Sequence, residues 1–213
     1  MSDADVETIT GRSATIRFDA RRCIHARRCV LGEPGVFKAN VQGPWIDPDA
    51  ASAEAVMRVA MNCPSGAIRV TRHDGGADEP NPKVNTIAVR ENGPLAVYAE
   101  IELAGERAGT RATLCRCGES KAKPYCDGSH GAAFVATGEP PSTTSVALAK
   151  RDGVLKITPY KNGPLGVDGP VEIISGAGRT IDRVARTALC RCGHSARKPF
   201  CDGSHARVGF GAP

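Results

Sequence analysis

Apolar and polar positions alternate in short stretches along this chain, and no long apolar run occurs. Ala14 to Asp19 alternates with the period of two expected of a half-buried strand and ends just before Cys23. Ala51 to Met61 is alanine-rich with a helical period and stops ahead of Cys63 and Pro64, and Ala67 to Val70 predicts a closing strand. Further on, Ile87 to Arg90, Val97 to Leu103, Val146 to Ala149, Val154 to Ile157 and Val171 to Ile174 predict short strands. Asp152-Gly153 predicts a hairpin between two of them. Between the two groups, His73 to Asn85 is rich in Gly, Pro and Asp and predicts a linker. No stretch approaches about 18 consecutive apolar residues, so no membrane span is expected.

The pattern after the linker is doubled. Asn92-Gly93-Pro94-Leu95 returns as Asn162-Gly163-Pro164-Leu165, and Leu114-Cys115-Arg116-Cys117-Gly118 returns as Leu189-Cys190-Arg191-Cys192-Gly193. The offset is 70 residues at the first match and 75 at the second, which places an insertion within Ser175 to Asp182. The expected organisation is an N-terminal domain over 1–72, a linker over 73–85, and two modules over 86–138 and 139–213.

Composition adds the need for staples. Aromatic residues are scarce (one Trp, three Tyr and five Phe in 213 residues), so no single large core is obvious, whereas nine cysteines supply candidate staples. Trp45 is expected in a core. The stretch from Met1 to Cys23 carries Asp3, Asp5 and Glu7 where a secretory leader would be basic. The expectation is therefore a cytoplasmic chain, kept reduced, in which metal is favoured over disulfides. The net charge of +5 is not a dedicated basic patch: residues 1–80 carry 10 basic and 11 acidic side chains, and no polybasic block follows. Nucleic acid is thus not an expected partner. Gly176-Ala177-Gly178 lacks the residues of a nucleotide loop, and no nucleophile elbow or metalloprotease motif occurs, so a carrier is expected rather than an enzyme.

The candidate chemistry lies in two identical constellations. Cys115, Cys117, Cys126 and His130 recur at the same spacing as Cys190, Cys192, Cys201 and His205. A Cys and a His four apart lie on one face of a helical turn and can reach one centre, with Asp127 and Asp202 fitting N-cap positions there. A Cys-x-Cys pair is tighter than the usual zinc spacing, which favours iron and leaves a structural zinc site as the alternative.

These residues, with Ser120, Pro124, Ser195 and Pro199, resemble the CDGSH iron-sulfur family (mitoNEET-like proteins), whose pattern is Cys-x-Cys-x2-Ser/Thr-x3-Pro-x-Cys-Asp-Gly-Ser-His. The resemblance runs from about Thr86 to the C-terminus and includes both Asn-Gly-Pro-Leu segments. It implies one [2Fe-2S] cluster per motif, held by three cysteines and one histidine. Ser120 and Ser195 are open between donors to cluster sulfur and formers of the loop. Arg116, Lys121, Lys123, Arg191, Arg197 and Lys198 are open between charge compensation, an acidic partner and plain solvation.

Cys23, Cys29 and Cys63-Pro64 resemble the divergent single-cluster ferredoxins, with Ala26 in the place of the central cysteine of Cys-x2-Cys-x2-Cys. Three thiolates suit a [3Fe-4S] cluster, or a [4Fe-4S] cluster completed by His25 or an outside ligand; three buried free cysteines are the alternative. The fold implied is α+β, a ferredoxin-like unit followed by two small β-rich modules in a pseudo-twofold arrangement within a monomer. The function implied is electron transfer to a redox partner protein, with cluster donation to an apo-protein acceptor or redox and pH sensing as one alternative and a zinc-stapled interaction protein as the other.

Overall fold

The computed structural model describes residues 5–132 and 134–213, so Asp3 of the acidic start lies outside the described residues. The chain forms two compact units, residues 1–80 and 81–213.

In the first unit, strands β1 (Val6–Thr10), β2 (Ala14–Asp19) and β3 (Ile68–Arg72) form an antiparallel sheet in that order. Helix α1 (Arg28–Gly32) is short. Helix α2 (Ala53–Met61) starts two residues later than its alanine content suggests, because the Ser52 hydroxyl caps it by accepting from the Ala55 amide at 3.2 Å. Val56, Val59 and Ala60 of α2 pack with Ile16, Phe37 and Ile68. Trp45 is half-buried against this core, its ring edge-on to Phe18 at 4.9 Å.

The second unit is a six-stranded β structure built by both repeats. The first contributes β4 (Thr86–Val89), β5 (Leu95–Leu103) and β6 (Glu106–Leu114); the second contributes β7 (Val154–Pro159), β8 (Leu165–Ile174) and β9 (Thr180–Leu189). Within each repeat the strands pair antiparallel, and between repeats β4 pairs parallel with β8 and β7 parallel with β5. The register of β5 shifts between Tyr98 and Ile101, and that of β8 between Asp168 and Val171. At those bulges each strand passes one edge from β4 to β7 or the reverse, and this lets the two repeats exchange strands. Gly169 is at the second bulge with φ +124°, where a Cβ would stand 2.6 Å from the Val154 carbonyl oxygen. Alternate residues Leu95, Val97, Ala99, Ile101 and Leu103 of β5 face Leu165, Val167, Val171 and Ile173 of β8 in one core.

Three sequence expectations change here. Val146 to Ala149 forms no strand and Val146 is exposed: the segment has apolar alternation but no ladder, and the bond to β9 from the Thr143 amide to the Ile181 carbonyl at 2.8 Å lies just ahead of it. Asp152-Gly153 is consequently a turn into β7 and not a hairpin. Strands β6 and β9 escape the pattern because inward positions such as Ala108, Thr110 and Ala112 are small or polar. The insertion of the second repeat forms the connection 175–179 between β8 and β9, within the interval expected. Among the described residues, no helix is long and apolar enough to cross a membrane.

At the end of the linker stretch, Asn85 is fully buried, and its Nδ2 donates to the carbonyls of Gly153 at 2.8 Å and Pro170 at 3.0 Å. Replacing Asn85 with Ala leaves two buried carbonyls without this donor and should cost about 1–3 kcal/mol, read as a lower thermal midpoint of the second unit.

Candidate metal centres

Each cysteine loop of the second unit starts where a strand ends, at Leu114 of β6 and Leu189 of β9. Main-chain bonds zip its two arms together: Cys115 amide to Pro124 carbonyl and Cys126 amide to Thr113 carbonyl, both 2.9 Å, with Cys190 to Pro199 at 2.8 Å and Cys201 to Ala188 at 2.9 Å in the second copy. The buried Ser120 hydroxyl donates to the Tyr125 carbonyl at 2.6 Å and accepts from the Ala122 amide at 3.1 Å. Ser195 does the same with Phe200 and Arg197. Both serines are therefore formers of the loop.

Asp127 and Asp202 act one position away from the expected N-cap. Gly203 caps the short helix α3 (Ser204–Arg207), while Asp202 accepts the amides of Ser204 at 3.0 Å and Ala196 at 2.9 Å. Asp127 accepts those of Ser129 at 3.0 Å and Lys121 at 2.7 Å. Burial raises the Asp127 carboxyl, yet hydrogen bonds from Ser129 and the Lys121 amide outweigh it and hold the group at about 2.

The donor atoms fall into pairs. Cys115 and Cys117 sulfurs stand 3.7 Å apart, and Cys190 and Cys192 sulfurs 3.8 Å. Cys126 Sγ is 3.3 Å from His130 Nδ1, and Cys201 Sγ 3.4 Å from His205 Nδ1. With metal–sulfur bonds of about 2.3 Å and metal–nitrogen bonds of about 2.0–2.1 Å, a tetrahedral metal separates two sulfurs by about 3.8 Å and a sulfur and a nitrogen by about 3.6 Å. Each pair thus has a separation close to one edge of a metal tetrahedron. Among the described residues, no three Cys, His, Asp or Glu side chains converge closely enough to hold one ion.

Main-chain amides point at the sulfurs: Glu119 at Cys117, Gly128 at Cys126 and Gly203 at Cys201, all 3.4 Å, and His194 at Cys192, 3.5 Å. Such bonds favour the thiolate, the form that binds metal. A hydrogen bond with the Cys117 thiol, working against burial and helped by the amides of Ser120, Gly118 and Cys117, brings the Cys115 thiol down to about 6. Cys117 rises in exchange through the same hydrogen bond and burial, while burial raises Cys126 and Cys192. Most of these cysteines are buried, whereas His130 and His205 are half-buried and form the accessible side of each site.

Two residues between the cysteines depart from a surface reading. Arg116 and Arg191 are both 1% exposed. Arg116 donates to the carbonyls of Gly93 at 2.9 Å, Arg90 at 2.6 Å, and Ala136 and Thr137 at 3.3 Å, and its guanidinium lies 5.1 Å from the Phe134 ring centre. Arg191 donates to Gly163 at 3.0 Å, Tyr160 at 2.6 Å and the main-chain oxygen of Pro213 at 3.1 Å, with the Phe210 ring at 5.4 Å. The Asn-Gly-Pro-Leu repeat supplies the other half of this clamp. Asn92 and Asn162 take left-handed backbone at φ +47° and +52°, and their side-chain oxygens accept the amides of Ala136 and Ala212, both at 2.9 Å. The amines of Lys123 and Lys198 donate to the carbonyls of Ser120 and Ser195, both at 2.6 Å. Lys121 and Arg197 remain exposed.

The N-terminal unit gathers its own set. Cys23 follows a single turn capped by Asp19, Cys29 lies in α1 and Cys63 lies just beyond α2; all three line one cavity of about 570 Å³ together with His25, Ala26, Trp45 and Ile68. Burial and then the nearby Cys63 sulfur raise the Cys23 and Cys29 thiols. His25 and Arg27 are left-handed at φ +52° and +59°, and His25 is exposed. Sequence reading missed Ser65, buried with its hydroxyl 3.7 Å from the Cys63 sulfur, and Arg22, 1% exposed immediately before Cys23. The position of Ser65 two residues after Cys63 and that of Arg22 directly before Cys23 were the available signal.

Two β-rich repeats ending in paired Cys and His donors, behind a unit with three cysteines around one cavity, define a metal-binding protein of iron-sulfur type. Known proteins agree. The iron-binding zinc finger of CDGSH type matches residues 92–131 and 162–206, and the divergent 4Fe-4S mono-cluster matches residues 9–73. The uncharacterized proteins YjdI of Escherichia coli (strain K12) and Escherichia coli O157:H7 are each 33% identical over 67 residues, which is 32% of this chain and 87% of theirs. The chain belongs to the CDGSH iron-binding family, with a divergent 4Fe-4S mono-cluster domain ahead of its two repeats, and is an iron-sulfur protein.

The two cysteine loops also touch each other. Cys117 and Cys192 pair as an isolated antiparallel bridge, and a Cβ on Gly118 (φ +90°) would lie 2.7 Å from the Cys192 carbonyl oxygen. Gly193 (φ +83°) faces Cys117 in the same way. Gly118→Ala should combine backbone strain of about 1–3 kcal/mol with separation of the loops, and reduce iron retained per chain as well as the thermal midpoint.

Proposed function

We propose that Cys115, Cys117, Cys126 and His130 hold one [2Fe-2S] cluster, that Cys190, Cys192, Cys201 and His205 hold a second, and that the protein is a one-electron carrier for a redox partner protein. The observation that carries this reading is the division of each donor set into two tetrahedral edges. One ion would draw all four donors to a point, whereas a dinuclear centre needs a pair of donors on each metal. The reciprocal pairing of β4 with β8 and β7 with β5 supports a pseudo-twofold arrangement of the two modules in one chain.

When bound, a cluster of this kind supplies a site that accepts and returns one electron. The chain's own groups set the terms. A neutral imidazole in place of a fourth thiolate leaves the centre less negative and easier to reduce, the direction seen in Rieske centres. Amides aimed at the sulfurs act in the same direction, by stabilising added negative charge.

The N-terminal cavity is proposed to hold a third cluster on Cys23, Cys29 and Cys63. With three thiolates it takes [3Fe-4S], or [4Fe-4S] completed by His25 or a ligand from outside. Counting about −1 for each oxidised [2Fe-2S] site and about −2 for a [3Fe-4S] site brings the net charge from +5 to about +1, so the loaded protein is close to neutral.

A second reading is donation of the [2Fe-2S] clusters to an apo-protein. It is favoured by the half-buried histidines, which leave one protonatable ligand accessible in each site.

Anaerobically purified protein should contain about seven or eight irons per chain with matching sulfide; stoichiometric zinc without sulfide would replace the reading with a structural zinc protein. His130→Cys should lower the potential of one [2Fe-2S] wave in voltammetry and remove its pH dependence, while an unchanged wave would take His130 off the ligand set. Ala26→Cys should convert a three-iron paramagnetic signal of the N-terminal unit, visible when oxidised, into a four-iron signal visible only on reduction.

A further inference from the structure

The two Cys-Arg-Cys loops lie back to back. Cys117 and Cys192 are bridge partners, and at Gly118 and Gly193 there is no room for a side chain between one loop and the other. Each arginine is therefore flanked by a donor whose main chain touches the loop of the other repeat. Arg116 is next in sequence to Cys117, whose bridge partner is Cys192 of the other repeat, and Arg191 is next to Cys192, whose bridge partner is Cys117. Lys123 extends the exchange, its amine standing 5.9 Å from the Phe210 ring centre. A guanidinium stays protonated at neutral pH even when buried. The hydrogen bonds of both guanidiniums end on main-chain oxygens, which solvate a cation without cancelling its charge.

We propose that Arg116 and Arg191 are a shared pair of buried counter-charges, each acting on the iron-sulfur site of the other repeat as well as on its own, so that the redox properties of the two sites are coupled through them. The inference rests on the reading of each donor set as a [2Fe-2S] site. One-electron reduction adds one negative charge to a site and breaks no bond. A guanidinium in a poorly screened interior stabilises that added charge across the loop contact. Both arginines are positioning and tuning residues, since their hydrogen bonds go to main-chain oxygens.

The test is voltammetry on the full chain, with the electrode as electron source and iron and sulfide counted first. His130→Cys lowers the first-site wave and so labels the remaining higher wave as the second site. Adding Arg116→Gln, which keeps amide donors and removes the charge, should shift that second-site wave downward. Adding Arg116→Lys, which keeps the charge and disturbs the clamp, should leave it near its starting place. A second-site wave that Arg116→Gln does not move, or that Gln and Lys move equally, overturns the proposal.

If Arg116→Gln fails to fold, Arg191→Gln in the His205→Cys background reads the same coupling from the other side, with a downward shift of the first-site wave expected. Absence of iron and sulfide in the unaltered protein would instead mean that the underlying [2Fe-2S] reading has failed.

Discussion

A guanidinium buried between two cysteines is the constraint on which each repeat of the second unit depends. Arg116 cannot be withdrawn from water without acceptors, and the acceptors are carbonyls presented by the Asn-Gly-Pro-Leu turn and by the segment that returns after the histidine. One side chain thus joins three stretches far apart in sequence, and Arg191 does the same for the second copy. The asparagine of the turn completes the join from the opposite side. Because the arginine is flanked by two proposed ligands, holding its guanidinium also aims their sulfurs.

A second constraint is the exchange of strands between repeats. Neither copy covers its own core: β4 and β7 each bridge β5 and β8, and the bulges in β5 and β8 let one strand serve both neighbours. The same exchange brings the two cysteine loops into main-chain contact, where only glycine fits. Electrostatics then follows from packing. Two buried guanidiniums flank that contact, each next in sequence to one of the bridged cysteines, which is the basis of the coupling proposed above.

The N-terminal unit solves the same problem with different means. A capped turn, a short helix and the end of α2 each deliver one cysteine to a common cavity, and left-handed backbone at His25 and Arg27 bends the loop around it. Arg22 is buried directly before Cys23, so all three cysteine sets have a buried arginine adjacent in sequence. Ala26 lines the same cavity, in the place where the related ferredoxin pattern has its central cysteine.

Much of the chemistry was legible in the sequence because ligand spacing is local. Cys126 with His130 and Cys201 with His205 are four residues apart, a separation that one turn bridges whatever surrounds it, and the doubled motif announced two equal sites. Strand β2 and helix α2 were legible for the same reason, since apolar periodicity needs no distant partner to be seen. Strands β6 and β9 were not, because small and polar inward residues carry little pattern, and Val146 to Ala149 carried a pattern without a partner edge. The burial of Arg116 and Arg191 and the contact of one cysteine loop with the other were decided only by tertiary structure. Each depends on which carbonyls and which strand edges the folded chain brings within reach, and residues 20 to 31 positions apart or on different repeats give no local sign of that.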